Sequence, residues 1–319
     1  MNASSYYPGA ANTARTPYLR AASTCLAGRR AARARNSARV GALGAVLAGF
    51  VLAASPAHAD RIEKHFAVQS KPKITVRNSN GRIQVKAWTK NEVLVAWTNA
   101  SGKSVVETEQ AGNRVEVSTR MIEDSVSADE GKTDFEVTVP VESELNVRTD
   151  SGNVTVDSVH GDMTFDTVGA NLQLSDVDGY MVVKTIDGSL ICTRCSGKLE
   201  ANSISGNVQM IQPTLDSVRV QTSSGNIFFD GSFLSRGIYI MKNFSGTIEV
   251  HFASSDSFDV NATSLKGDVI NQATFKPDTH GTSHPISKWG HSLFGTMNEG
   301  HAKVELSSFS GTIKILKRD

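Results

Sequence analysis

From Gly152 onward, apolar and polar positions recur with a nine-residue period. Each unit reads glycine, any, apolar, any, apolar, any, any, apolar, any. The glycines fall at 152, 161, 179, 188, 197 and 206, and Ala170 holds the one missing beat. The first three units supply Val154, Val156 and Val159, then Met163, Phe165 and Val168, then Leu172, Leu174 and Val177. The next three supply Met181, Val183 and Ile186, then Leu190, Cys192 and Cys195, then Leu199, Ala201 and Ile204. Side chains two apart on a strand share a face, so the third and fifth positions of a unit point the same way. The eighth follows a bend and is expected to turn back inward. Glycine opens each unit because it takes corner angles that a side chain would make costly. A short fixed period with alternation inside it predicts an all-β fold, a β-solenoid.

Past Gly206 the beat lengthens, with glycines at 225, 246 and 267. Leu215, Val218 and Val220, then Ile238 and Ile240, then Phe258 and Val260 fill the intervening halves as core positions. The simplest reading is a coil of about 18–21 residues with two main strands, each nine-residue unit being half a coil. Residues 271–300 break the pattern and read as a loop insertion; Val304, Leu306, Phe309, Gly311, Ile313 and Ile315 resume it. Upstream, short alternating runs such as Arg82-Ile83-Gln84-Val85 and Phe135 to Val139 read as an irregular β region that caps one end. Met121 to Lys132 reads as a polar loop. The expectation is one solenoid domain over 60–319. Residues 60–149 form its cap, and 150–270 and 301–319 its regular coils.

The front of the chain is of another kind. Val40 to Ala54 is an apolar run behind seven arginines, and it ends in Ala57-His58-Ala59, an A-x-A cleavage site. Residues 1–59 read as a secretory signal peptide, and fifteen apolar residues are short for a membrane span. Arg29-Arg30 raises the twin-arginine route, and no cysteine follows the run to carry a lipid anchor. The whole chain has 33 basic and 32 acidic residues; without the leader's seven arginines 26 and 32 remain, a net −6 on 260 residues. A mildly acidic chain without a Lys/Arg cluster gives no nucleic-acid footprint. The expected address is outside the cytoplasm: periplasmic, secreted or retained at the cell surface.

Candidate chemistry is sparse. Outward positions carry Thr155, Thr164, Gln173, Val182, Ile191, Glu200 and Gln209 in one series. In the other, the 18-residue register places Asp157 beside Ser175 and Thr193, and Asp166 beside Lys184 and Asn202. The units from Gly152 onward therefore show no converging pair of acids such as a glycoside hydrolase needs, and Asp166 with Lys184 reads as a surface ion pair. The repeat has one glycine where the calcium nonapeptide has three, so calcium is not expected. Cys192 and Cys195 both occupy apolar beats and read as core residues able to form a disulfide in an oxidising compartment, not as a redox motif at a helix N-terminus. The insertion gathers His280, His284, Trp289, His291, Phe294 and His301. Their spacing matches no compact zinc motif, so they form a candidate binding loop, and neither a catalytic residue nor a cofactor site is assigned.

Asp150-Ser151-Gly152-Asn153-Val154-Thr155-Val156 and Ile204-Ser205-Gly206-Asn207-Val208-Gln209-Met210, with the upstream run Asn80 to Trp88 and Phe135 to Pro140, resemble the bacterial putative-adhesin family of exported β-strand-repeat proteins. The resemblance spans roughly residues 70–319. It implies a β-helix-like stack outside the cytoplasm and brings no catalytic residues. Three functions follow as expectations. The first is a non-enzymatic envelope protein binding a glycan or another protein; the others are a β-helical polysaccharide lyase or hydrolase, and a periplasmic regulatory or envelope-stress interaction protein.

Overall fold

The computed structural model describes residues 61–99, 102–122, 130–276 and 291–318. The leader and the centre of the polar loop lie outside them. Among the described residues all regular structure is strand. The first nine are β1 (Arg61–Ala67), β2 (Lys73–Asn78), β3 (Arg82–Trp88), β4 (Glu92–Asn99), β5 (Ser104–Ala111), β6 (Arg114–Met121), β7 (Thr133–Pro140), β8 (Glu144–Thr149) and β9 (Asn153–Asp157). Then come β10 (Met163–Thr167), β11 (Asn171–Ser175), β12 (Asp178–Thr185), β13 (Leu190–Thr193), β14 (Ser196–Ser203), β15 (Val208–Ile211) and β16 (Thr214–Thr222). The last are β17 (Ile227–Asp230), β18 (Ile238–Asn243), β19 (Thr247–Ala253), β20 (Phe258–Ser264), β21 (Val269–Asn271), β22 (His291–Met297), β23 (Ala302–Ser308) and β24 (Thr312–Arg318).

These strands make two 12-stranded, mainly parallel sheets that face each other across one core. Sheet A runs β1-β4-β7-β3-β9-β11-β13-β15-β17-β19-β24-β21, and sheet B runs β22-β20-β23-β18-β16-β14-β12-β10-β8-β2-β6-β5. Successive strands belong to opposite sheets from β8 through β20, so the chain winds as a β-solenoid. Asn153 pairs with Asn171 and Met163 with Met181, a step of 18, and Ile227 with Ile248, a step of 21. The third and fifth positions of the repeat fill the core: Val154, Phe165 and Leu174 are fully buried and Val183 is 1% exposed.

The eighth position divides. Val159, Val177 and Cys195 are buried as expected, but Val168, Ile186 and Ile204 are 47%, 48% and 55% exposed. The two corners of a coil differ. At one, Ser158, Asp176 and Arg194 take positive φ (60°, 53° and 51°), which interrupts the alternation and turns the next side chain inward. At the other, strand alternation continues: Phe165 faces in, Asp166 out, Thr167 in, and Val168 therefore out. A second correction concerns β18. Tyr239 and Met241 take its core positions, and Ile238 and Ile240 stand on the outer face.

Neither terminal coil sits where chain order alone would place it. The β2/β3 coil lies between β6/β7 on one side and β8/β9 on the other, and the final β23 and β24 insert between β18/β19 and β20/β21. Residues 73–88 and 144–149 therefore extend the regular stack, and the capping strands are β1 and β4–β7. Part of the 271–300 insertion is ordered strand as well, since β22 pairs antiparallel with β20. The edges are blunted. β1 and β5 carry charged side chains, and Lys64 Nζ reaches Thr108 Oγ1 at 2.9 Å between them. At the opposite end Phe275 lies against Phe252 and Phe258, with ring centroids 6.4 and 6.0 Å away.

Candidate binding face

Pairing in sheet B carries outward side chains from strand to strand in fixed rows. Ser217 and Arg219 of β16 stand beside Ile238 and Ile240 of β18. Those stand beside Lys303 and Glu305 of β23, then Asp259 and Asn261 of β20, and Phe294 of β22 lies opposite Asn261. Ile238, Ile240, Lys303, Glu305, Asp259, Asn261 and Phe294 line a shallow cavity of about 330 Å³. Its polar groups are held in place. The Asp259 carboxylate accepts a hydrogen bond from the Thr296 hydroxyl at 2.6 Å, and Glu305 pairs with Lys242 at 2.6 Å. On the adjoining strands β12, β14 and β16 a second cavity of about 500 Å³ is lined by Tyr180, Lys198, Glu200, Ser217 and Arg219. The Tyr180 hydroxyl donates to Glu200 at 2.9 Å, and that hydrogen bond holds its phenol above the usual range.

The histidine-rich insertion does not assemble as a cluster among the described residues. His280, His284 and Trp289 lie outside them. His291 and Phe294 are an odd number of residues apart on β22 and so face opposite ways. His291 Nδ1 lies 3.0 Å from the Gly267 carbonyl oxygen and 3.0 Å from the Asp268 carboxylate. His301 is held 3.0 Å from Glu299, just before β23. Among the described residues no three His, Cys, Asp or Glu groups are placed to hold a metal ion. Of the described candidate loop residues, Phe294 alone joins the outer cavity. Its partners Ile238 and Ile240 were not recognised in the sequence because their alternation reads equally well as core. The signal against that reading is Tyr239 and Met241 between and after them, an alternating apolar pair in the other phase. Cys192 and Cys195 are fully buried and joined by a disulfide, on strand and corner positions with no helix near.

The outward rows also bear on catalysis. Asp157 stands beside Ser175, which stands beside Thr193; Asp166 stands beside Lys184, which stands beside Asn202. The ion partner of Asp166 is Arg148, at 3.9 Å, rather than Lys184. Acids do meet on neighbouring coils outside these rows, where Glu142, Glu144, Asp162 and Asp178 line one cavity with His160, so the expectation of no converging acids from Gly152 onward fails at this corner. Three of them have partners: Lys73 lies 3.1 Å from Glu144, Lys71 3.8 Å from Glu142, and the Ser196 hydroxyl donates to Asp178 at 2.5 Å. A second charged group stands on the outer face of sheet A. Burial raises the Glu249 carboxyl, but hydrogen bonds from His251 at 2.9 Å and Lys314 at 3.2 Å outweigh it and hold the group below its ordinary value.

Among the described residues no helix is long and apolar enough to cross a membrane. No functionally curated protein matches the sequence. Crystal structures similar to this chain include a putative adhesin from Bacteroides fragilis, with 11% identity, a TM-score of 0.44, and coverage of 80% of this chain and 96% of that one. A putative adhesin from Parabacteroides distasonis gives 11% identity, a TM-score of 0.41, and coverage of 82% and 98%. A putative lipid binding protein from the same organism gives 12% identity, a TM-score of 0.32, and coverage of 82% and 98%. The profile of the toastrack family DUF4097 matches residues 72–316, the whole run of strands from β2 into β24, and the chain belongs to that family.

Proposed function

We propose that this protein is an exported, non-enzymatic binding protein of the cell envelope, and that the outer face of sheet B is its recognition surface. The observation that carries this reading is the gathering of Ile238, Ile240 and Phe294 on three strands with Asp259, Asn261, Lys303 and Glu305 among them. Convergent polar groups around partly exposed apolar side chains are what ligand sites share, and a paired sheet holds them rigid. The leader read over residues 1–59 supports export, and the family membership agrees with an interaction role.

The test is capture of glycans and proteins from cell-envelope fractions by residues 60–319, compared with Ile240→Asp, Phe294→Ala and deletion of 277–290. The two substitutions are expected to abolish capture with the melting temperature unchanged. Undiminished capture by both would overturn the reading. Deletion of all of 271–300 is the wrong control, because it removes β22 and Phe275, which cover the end of the core.

The enzyme alternative draws on the acids at Glu142, Glu144, Asp162 and Asp178. A general acid is tuned by burial away from cationic partners, and all four acids are exposed, Glu142 and Glu144 beside lysines, which favours the binding reading. Release of reducing ends from a polysaccharide panel, lost in Glu144→Gln, would reverse that preference.

A further inference from the structure

We propose that two copies of this chain associate, antiparallel, through one corner of the solenoid. The corner is the one that leads from sheet B to sheet A, where the eighth side chain of the repeat points outward. Parallel pairing stacks these side chains in one row along the solenoid axis. The row reads Val168, Ile186 and Ile204, then Ser223, then Phe244, Phe309 and Leu265. Val168, Ile186, Ile204, Phe244 and Leu265 are 40% to 57% exposed. Phe309 stacks on Phe244 with ring centroids 4.5 Å apart. Six strand spacings of about 4.8 Å make the row about 29 Å long. Single apolar side chains on a surface need no explanation, but a continuous row of this length marks a contact.

The row specifies its own partner. Three apolar side chains precede Ser223 and three follow it, so the row has the same polarity from either end. A two-fold axis through Ser223 sets Ile204 against Phe244 of the other copy, Ile186 against Phe309, and Val168 against Leu265. An isologous contact needs such a surface, one that complements itself after a half turn. The small serine at the centre lets the two rows close on each other. Charge runs the opposite way. Exposed Asp150 and Asp187 flank the row at its Val168 end, and exposed Lys266 flanks it at the Leu265 end. The half turn brings Lys266 of one copy level with Val168 of the other, between Asp150 and Asp187. Lys266 Nζ lies 4.8 Å from the Phe309 ring centroid, and among the described residues no carboxylate pairs with it. Asp187 accepts a hydrogen bond from the Ser205 hydroxyl. Three charges beside the row have partners within the chain: Asp166 with Arg148, Lys242 with Glu305, and Asp268 with His291. Lys184, two residues before Ile186 on sheet B, reduces the acid excess at that end to one. A parallel pairing would set that excess against its own copy, so charge selects the antiparallel one. A strip about 29 Å long and about 15 Å wide covers about 450 Å² per copy, the size of a weak, reversible association.

The experiment is sedimentation of residues 60–319, which carry every described strand, from about 1 µM to about 1 mM. A monomer–dimer equilibrium with Kd between about 1 and 100 µM is expected. Ile204→Asp and Phe244→Asp are each expected to raise that Kd at least about tenfold, with the melting temperature of the dilute monomer unchanged. Lys266→Asp is expected to weaken the dimer, and Asp187→Lys in the same chain to restore part of it. Ser223→Cys is expected to give a disulfide-linked dimer on mild oxidation, because the half turn sets position 223 against itself. Ser255→Cys, exposed away from the row, is the control. The native thiols do not compete, since Cys192 and Cys195 are joined and Cys25 is left out with residues 1–59. A monomer throughout the range would overturn the proposal, as would a dimer that keeps its Kd in both aspartate variants or in Lys266→Asp. Equal cross-linking of Ser255→Cys and Ser223→Cys would do the same. So would a monomeric parent that binds phosphatidylglycerol vesicles and loses them in Ile204→Asp, which would give the row to a membrane. The outer face of sheet B is not covered by this contact, so envelope capture by Ile204→Asp reads the recognition surface separately.

Discussion

At the scale of the residue, the corner glycines owe their place to two constraints. Gly152, Gly179 and Gly197 have φ of 110°, 132° and 91°, where glycine's freedom is used directly. Gly188, Gly206, Gly225 and Gly311 need no such angle. A Cβ on Gly206 would lie 2.0 Å from the carbonyl oxygen of Gly188 in the next coil, and one on Gly225 the same distance from Gly206. Each glycine carries the carbonyl against which the next is pressed. Gly169, by contrast, has only the Asp150 oxygen at 3.8 Å and no positive φ. Gly206→Ala is therefore expected to cost about 3 kcal/mol or more, and Gly169→Ala less than about 0.5 kcal/mol, read from denaturant melts of the two variants. Equal effects would refute the close-approach account.

At the scale of the element, the corner is built by a hydroxyl three residues before the glycine. The backbone N–H groups of Gly188, Gly206, Gly225, Gly267 and Gly311 donate to Thr185, Ser203, Thr222, Ser264 and Ser308 at 2.8–3.1 Å. These side chains occupy the inward position at the end of each sheet B strand, and a buried amide left without a partner is costly. The T-x-x-G and S-x-x-G spacing is visible along the chain, although the neighbouring Ser-Gly steps are the more conspicuous pattern. Where Ala170 replaces the glycine, the Thr167 hydroxyl has no partner. Thr222→Val is expected to cost about 1–3 kcal/mol and Thr167→Val close to nothing. Urea midpoints measure both, and a large loss at Thr167 would contradict the assignment.

At the scale of the whole molecule, the β2/β3 coil and the β23/β24 coil are each clasped between two others, while β1 stays at the edge of sheet A. Ile83 lies beside Val154, and Ile248 beside Ile313. A linear array unravels from its termini; this one buries its terminal coils instead. Removing residues 302–318 should therefore abolish cooperative unfolding altogether, since β18 and β20 would face each other across a missing strand. Removing residues 61–67 takes away an exposed edge strand and should lower the melting temperature by only a few degrees. Thermal melts of the two truncations decide it, and a cooperative, near-native melt after loss of 302–318 would disprove the clasp.

The period by itself determined the all-β class, the two-strand coil, its 18–21-residue length and most of the core. Val154, Phe165 and Leu174 are legible because burial and strand alternation leave their mark within a few consecutive residues. The tertiary structure alone decided which corner buries its eighth side chain, which phase of β18 faces inward, and where the last coil stacks. Val168 and Val159 are the same residue type at the same beat, yet a single backbone angle at Ser158 sends them opposite ways. Ile238 and Ile240 alternate like core residues and become surface because Tyr239 and Met241 fill the interior. The face proposed for binding was illegible for the same reason. It joins Ile238 and Ile240 to Phe294 through pairings between distant strands, and a one-dimensional period carries no record of which coil lies beside which.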